Sequence, residues 1–322
     1  MPEHSNLTIP ERPDVPDEQI GSAEHELRYD DLCQDGRLRI GGVWAPMGRI
    51  LWTRMPVAKT LAALGAQGVR NVLSFVMMEA DDVPLSMRGF AHSEVRYRLG
   101  HTTGADNQPN RIVFETWLTT QAVPGRQGDP TARPSGESVP AARAFGQHVF
   151  TRPSAPAGQH RVLRLEHPNF VELPPERVEF FDPKRILALP DGAEPLEPEP
   201  RAEAAPVVFG VVHTDGNQHV NFMVYPRLTE DGALRRLAEL GFHGRLLGRR
   251  AEVGYRKPCF AGDRMRLVLQ AFRLNEKLGV VAALVPDEAP VSDGAPAGHG
   301  HSADPWSAFG RSHCMVRLLL SQ

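Results

Sequence analysis

The chain has 322 residues, enough for two domains that each bury a core of their own. Hydrophobic residues make up 41% and charged residues 23%, which excludes wholesale disorder. With 36 basic and 39 acidic residues and a net charge of -3, no global field draws the chain to nucleic acid or to an anionic membrane.

The N-terminal stretch MPEHSNLTIPERPDVPDEQ is acidic and proline-rich, lacks the basic-then-apolar pattern of a signal peptide, and reads as a flexible tail over residues 1–24. After it, GRLRIGGVW (36–44) has a strand pattern. MPVAKTLAALGAQG (55–68) places Val57, Leu61 and Leu64 on one helical face and ends in glycines. Three strand-like runs follow between turn residues: NVLSFVMME, AHSEVRYRLG and RIVFETWLTTQAV.

Proline and glycine cluster at 123–140, 189–206 and 285–305. The middle cluster is acidic and poor in large apolar side chains, so the interdomain linker is placed over 171–205, between domains at 25–170 and 206–322. Beyond it the same order recurs. PVVFGVV reads as a strand, and LTEDGALRRLAELG as a helix with Leu234, Leu237, Ala238 and Gly241 at helical spacing. RAEVGYRK, RMRLVLQAFRL, GVVAALV and SHCMVRLLL then read as strands, with the third cluster as a hairpin insertion before the last of them. One helix across an antiparallel sheet, twice over, is an α+β architecture.

No window approaches the run of about 20 apolar residues that a membrane-spanning helix needs. The three cysteines, Cys33, Cys259 and Cys314, are far apart and form no C-x-x-C pair, which points to a reducing compartment and a cytoplasmic location.

The stretch VVHTDGNQHVN (211–221) holds the densest set of proton-sharing groups in the chain. If residues 213–219 are extended, His213, Asp215, Asn217 and His219 alternate onto one face. The helix that follows offers free N–H groups and a favourable dipole to a developing negative charge, and Gly216 leaves room for close approach. A carboxylate with amide and imidazole donors at a helix start suits attack on an activated carbonyl, with acyl-thioester hydrolysis as the natural reaction class. The alternative is a polar turn that only caps the helix.

DGNQHVNFMVY, with Asp215, Asn217, His219, Asn221 and Tyr225, resembles the D-x-N-x-H-V-N-x-x-x-Y signature of the hotdog-fold acyl-carrier-protein thioesterases. YRKPC, Tyr255 to Cys259, is similar to that family's Y-R-x-E-C segment. The resemblance implies a double hotdog, two repeats each of a helix wrapped by an antiparallel sheet, with the signature in the C-terminal repeat. It further implies that Asp215 drives hydrolysis, directly or by holding water, while Asn217 and His219 position the thioester and the carboxylate. The amides around Val220 and Asn221 would polarise the carbonyl, and Val220, Asn221, Tyr225, Glu252 and Arg256 are the candidate substrate contacts. The family's glutamate falls on Pro258, which can neither transfer a proton nor donate a backbone hydrogen bond; Glu252 and Asp263 are the nearby carboxylates that could replace it. The N-terminal repeat would hold the acyl chain, in a pocket lined from VWAPMGRILWTRMP and VLSFVMM.

No metal or other cofactor is implied, the expected partner is an acyl carrier protein or coenzyme A thioester, and a tandem chain can work as a monomer or a homodimer. Rival readings are an acyl-binding protein without hydrolytic activity and a dehydratase or cyclase on the same substrates. HTD also reads as two ligands of an iron site completed by His313, and GHGHSAD as a loop with metal-binding potential. His213 is otherwise a hydrogen-bonding strand histidine, and Cys259 a buried thiol. Arg235, Arg236, Arg245, Arg249 and Arg250 are either a solvated face or a basic patch for docking the carrier.

Overall fold

The structure, a computed structural model, describes residues 8–33, 35–125, 136–287, 306 and 311–321. Two compact units emerge, one of Ile9–Asp182 and one built on Pro183–Gln322.

In the first unit β1 (Ile20–Glu26) is followed by α1 (Ala45–Arg54) and α2 (Val57–Ala66), then by β2 (Arg70–Ala80), β3 (Phe90–Thr103), β4 (Pro109–Ala122) and β5 (Val139–Thr151). The sheet order is β1-β3-β4-β5-β2 and every pairing is antiparallel. Strand alternation sends Phe114, Thr116 and Gly146 to the helix side, where a Cβ on Gly146 would stand 2.3 Å from the Trp44 ring. Only glycine lets the entry to α1 come this close to the sheet. On the opposite face Phe181 stacks on Phe75 with ring centroids 5.0 Å apart and meets Phe145 edge-on at 5.3 Å.

In the second unit three short strands, β6 (Glu194–Pro195), β7 (Arg201–Ala202) and β8 (Val207–Val208), precede α3 (Val224–Glu239), β9 (Leu247–Tyr255), β10 (Arg264–Leu274), β11 (Lys277–Pro286) and β12 (Cys314–Ser321). The main sheet runs β9-β12-β11-β10, and the short strands all pair with β10. The helix α3 lies on the face that carries Tyr255, Leu267 and Leu269; a Cβ on Gly232 would meet Leu267 at 2.5 Å. The other face packs Val268, Phe272, Val281, Ala283 and Val285 under Leu187, Leu189 and Trp306.

Several expectations change. Residues 9–24 are no loose tail: Ile9 is buried, Trp117 donates its indole N–H to the Pro10 carbonyl at 3.1 Å, and β1 begins at Ile20. GRLRIGGVW forms no strand; Ile40–Gly42 is a 3-10 turn, because Gly42 must sit against the Asp31 backbone, 3.1 Å from where its Cβ would be. The helix α1, which the pattern leaves unassigned, buries Met47, Ile50 and Leu51 at helical spacing and tolerates Pro46 because it lies in the first turn. PVVFGVV holds only two residues in a strand before a 3-10 turn over Val211–His213, where Val211 and Val212 are exposed. The buried face of α3 is Tyr225, Thr229, Gly232, Ala233, Arg236 and Leu237, not the face of Leu234 and Ala238. The segment read as a linker lays its last residues along the edge of β10. Most of the third Pro/Gly cluster, GHGHSAD included, lies outside the described residues. Among the described residues no helix is long and apolar enough to cross a membrane.

His148 on β5 is fully enclosed, with its Nδ1 unpartnered, and burial holds its pKa down at about 4. The folded value lies below the ordinary 6.5, so the unfolded chain takes up the proton first and stability falls as pH drops from about 6.5 to 4. The gap corresponds to about 3 kcal/mol, fully lost below the folded value. Denaturant titrations between pH 7 and 4 are expected to show this decline, and His148→Leu to flatten it; an unchanged slope would place the pH sensitivity elsewhere.

Candidate active site

Residues 213–221 form a closed turn, not the extended run that would align four side chains. Thr214 and Val220 bridge, the Asp215 N–H donates to the His219 carbonyl at 3.1 Å, and the Gln218 N–H donates to the Asp215 carbonyl at 2.9 Å. Gln218 takes the left-handed conformation, with φ of 65°, that such a reversal requires. The loop ends at Asn221, whose carbonyl and side-chain Oδ1 accept the Val224 and Met223 N–H groups at 3.0 and 2.9 Å and so begin α3.

This fold of the loop fixes one carboxylate. The Asn217 N–H donates to Asp215 Oδ1 at 2.9 Å, and the Asn221 side-chain amide donates to Oδ2 at 3.2 Å. Asp215 and His219 are half-buried, Asn217 is exposed, and a Cβ on Gly216 would meet nothing within 4 Å. An oriented carboxylate thus stands at a helix start with open space beside it. The two expected carbonyl-polarising amides are committed elsewhere: Val220 N–H to the Cys259 carbonyl at 2.7 Å, and Asn221 N–H to the His213 carbonyl at 2.8 Å.

Beneath the loop the Tyr225 ring meets Tyr255 at 5.9 Å and Phe209 at 6.0 Å, and its hydroxyl is hydrogen-bonded with Cys259. Tyr255 donates to the Phe222 carbonyl at 3.1 Å, and Cys259 Sγ lies 3.4 Å from His313 Nδ1. Burial pushes the Cys259 thiol up to about 11, against the Tyr225 hydrogen bond that pulls it down. A thiol so protonated is a packing group rather than a nucleophile. Burial and the neighbouring Lys257 lower the His313 pKa, while the Pro258 carbonyl opposes them. His313 escapes the sequence reading as a neighbour of YRKPC because only the β9–β12 pairing brings them together.

The other expected residues disperse. Glu252 is on the face of β9 opposite Tyr255, buried and paired with Arg317, whose Nε donates at 2.7 Å, and with Arg250 at 2.9 Å. It lines a cavity of about 730 Å3 with Arg250, Leu274 and Leu319 on that outer face. Asp263 caps its own turn by accepting the Phe260 N–H at 2.8 Å. Glu252, on the opposite face, does not take the place left by Pro258, whereas Asp263 is close enough to Cys259 and His313 to act on their charges; Pro258 and Arg256 are exposed. His213 accepts the Gly210 N–H on Nδ1 at 2.9 Å, and among the described residues no three His, Cys, Asp or Glu side chains gather as metal ligands. The basic patch is largely spoken for: Arg236 is buried against Glu197 at 3.2 Å, Arg235 pairs with Glu203 at 3.0 Å, and Arg249 is buried.

No protein-family model matches the chain, and no curated protein matches it in sequence. Its structure is similar to an acyl-ACP thioesterase from Bacteroides thetaiotaomicron at 13% identity, over 94% of this chain and 98% of that one, with a TM-score of 0.52. It is also similar to the 12:0-ACP thioesterase from Umbellularia californica at 10% identity, over 94% of each chain, with a TM-score of 0.54. The chain has a hotdog fold. At these identities the likeness is one of architecture, and in this chain Glu252 is held in a buried ion pair with Arg317.

Removing one partner of a buried ion pair strands the other, so Glu252→Gln or Arg317→Met is expected to lower stability by about 3 kcal/mol or more. The double replacement Glu252→Leu with Arg317→Met should recover most of that loss. Denaturant unfolding checks both; a neutral single variant would show that the pair is solvated.

Proposed function

We propose that the chain is a double hotdog acyl thioesterase in which the second unit carries the chemistry and the first accommodates the acyl chain. The observation that carries this reading is the Asp215 carboxylate, held by the Asn217 N–H and the Asn221 amide at the start of α3, beside His219, in a chain of this fold. Asp215 either takes a proton from a water that attacks the thioester carbonyl or attacks it directly to give an acyl anhydride that water then hydrolyses; on either route a C–O bond forms, the C–S bond breaks, and the water's proton ends on the departing sulfur, leaving the free acid and the thiol. Asn217 and His219 position the carbonyl. The substrate is an acyl group on carrier protein or coenzyme A, and the protein works in the cytoplasm as a monomer or homodimer.

A second reading, an acyl-thioester binder that does not hydrolyse, is favoured by Pro258. The carboxylate missing there is not replaced by Glu252, and the amides of Val220 and Asn221 are already paired.

Free-thiol release from a panel of acyl-coenzyme A and acyl-carrier thioesters separates the two. Asp215→Asn is expected to lower the rate by about 100-fold or more, and His219→Ala by a comparable factor, with thermal unfolding checking that both still fold. A folded wild type that binds the panel but releases no thiol would establish the binder and overturn hydrolysis.

A further inference from the structure

At the far end of β3 and β4 in the first unit, on the face turned away from the helices, is a second cavity of about 640 Å3. Thr102 on β3 stands directly opposite Arg111 on β4, and residues 177–180 cross beside them. The Arg111 guanidinium lies 4.3 Å over the Phe180 ring and makes no hydrogen bond among the described residues. A stacked guanidinium keeps its in-plane N–H donors pointed outward. Arg177 spends one Nη1 contact on Asn107 at 3.0 Å, and Arg161 one on Asn110 at 2.6 Å. Arg111 and Arg177 therefore line the cavity, with Arg161 close enough to act on the Arg111 charge; Glu179 is on the wall, Asp182 acts on Arg111, and Glu176 and Asp106 flank Arg177 and Asn107 in the chain. Burial and Arg161 both destabilise the Arg111 charge, and Asp182 offsets them only in part.

An independent feature lies on the same wall. Thr102 is 4% exposed, and its hydroxyl is buried with no hydrogen-bond partner. An orphaned buried hydroxyl costs about 1–3 kcal/mol, a cost removed once an acceptor arrives. The candidate donors come from β3, β4 and the crossing segment, and two guanidiniums on one cavity favour a multiply charged oxyanion over a singly charged carboxylate.

We propose that this cavity binds a phosphate or diphosphate group, with Arg111 and Arg177 as charged donors and the Thr102 hydroxyl as the neutral one. It is separate from the chemistry proposed for Asp215 and stands without it. Inorganic pyrophosphate and phosphate, titrated calorimetrically into the full chain at low ionic strength, are expected to bind saturably and to raise Tm with concentration. Acetate at matched ionic strength should bind at least tenfold more weakly. Arg111→Gln should weaken pyrophosphate at least tenfold. Thr102→Val should also weaken it, while leaving the unliganded Tm equal or higher, because the methyl replaces an unsatisfied hydroxyl with little change in shape. Absence of saturable binding to wild type, equal affinity for acetate, or unchanged affinity in folded Thr102→Val and Arg111→Gln would each overturn the site.

Discussion

The hydrogen bond from the Val220 N–H to the Cys259 carbonyl, 2.7 Å long, is the constraint on which the candidate active site depends. It ties the polar loop before α3 to the segment that follows β9, so the loop cannot move independently of the sheet. Asn221, next in the chain, begins the helix and holds the Asp215 carboxylate with the same side chain. Helix start and carboxylate orientation are thus one structural event. A side-chain amide that closes the turn before α3 and orients the carboxylate at once leaves that carboxylate little rotational freedom, a preorganisation that suits the proposed attack on a carbonyl.

Burial of ions follows a common pattern in the two units. On the face of each sheet away from its helices, a carboxylate is sunk against an arginine: Glu115 with Arg98 at 2.6 Å in the first, Glu252 with Arg317 in the second. Each pair lies under a chain segment that supplies backbone partners. Gln147 links Glu115 to the Glu179 carbonyl at 2.8 Å, and Arg317 donates to the Ala188 carbonyl at 3.1 Å. Desolvating such pairs is costly, so they add little stability over apolar side chains; what they add is register, since a slipped segment strands a charge. The coverings over 176–182 and 183–202 are therefore fixed by polar contacts as well as by Phe181, Leu187 and Leu189.

Much of the fold was legible because it rests on periodicity. The runs around Val72, Val95, Val113, Val253, Leu269, Val281 and Val316 are strands within a few residues of where alternation and β-branching put them, and α2 and α3 are helices. The failures have physical causes. The α1 sequence carries tryptophan, methionine and proline, which read as pocket and breaker until the proline is placed in the first turn. PVVFGVV has strand propensity but turns after two residues, because the Phe209 N–H and carbonyl are drawn to Asp263 and Gly262. In α3 the buried positions include Gly232, chosen for closeness to Leu267, and Arg236, buried because Glu197 is there to meet it. Neither belongs to an apolar stripe, so hydrophobic spacing found Leu237 but turned the rest of the face toward the exposed Leu234 and Ala238.

The site was legible in composition and misread in geometry. Eleven residues rich in Asp, Asn and His announced themselves, but alternation along a strand was the wrong rule for a turn closed by Gln218 at positive φ. The same pleat rule applied where it does hold, on β9, separates Glu252 from Tyr255 and removes it from consideration as a replacement for the carboxylate lost at Pro258. A fold can persist at 10 to 13% identity because antiparallel pairing and an apolar helix face demand only residue classes at the right period. Chemistry has no such tolerance. The chemistry proposed for this chain needs one carboxylate at one angle, and the angle of Asp215 is set by the Asn217 N–H and by Asn221, a residue whose value lies in a hydrogen bond rather than in a proton it could transfer.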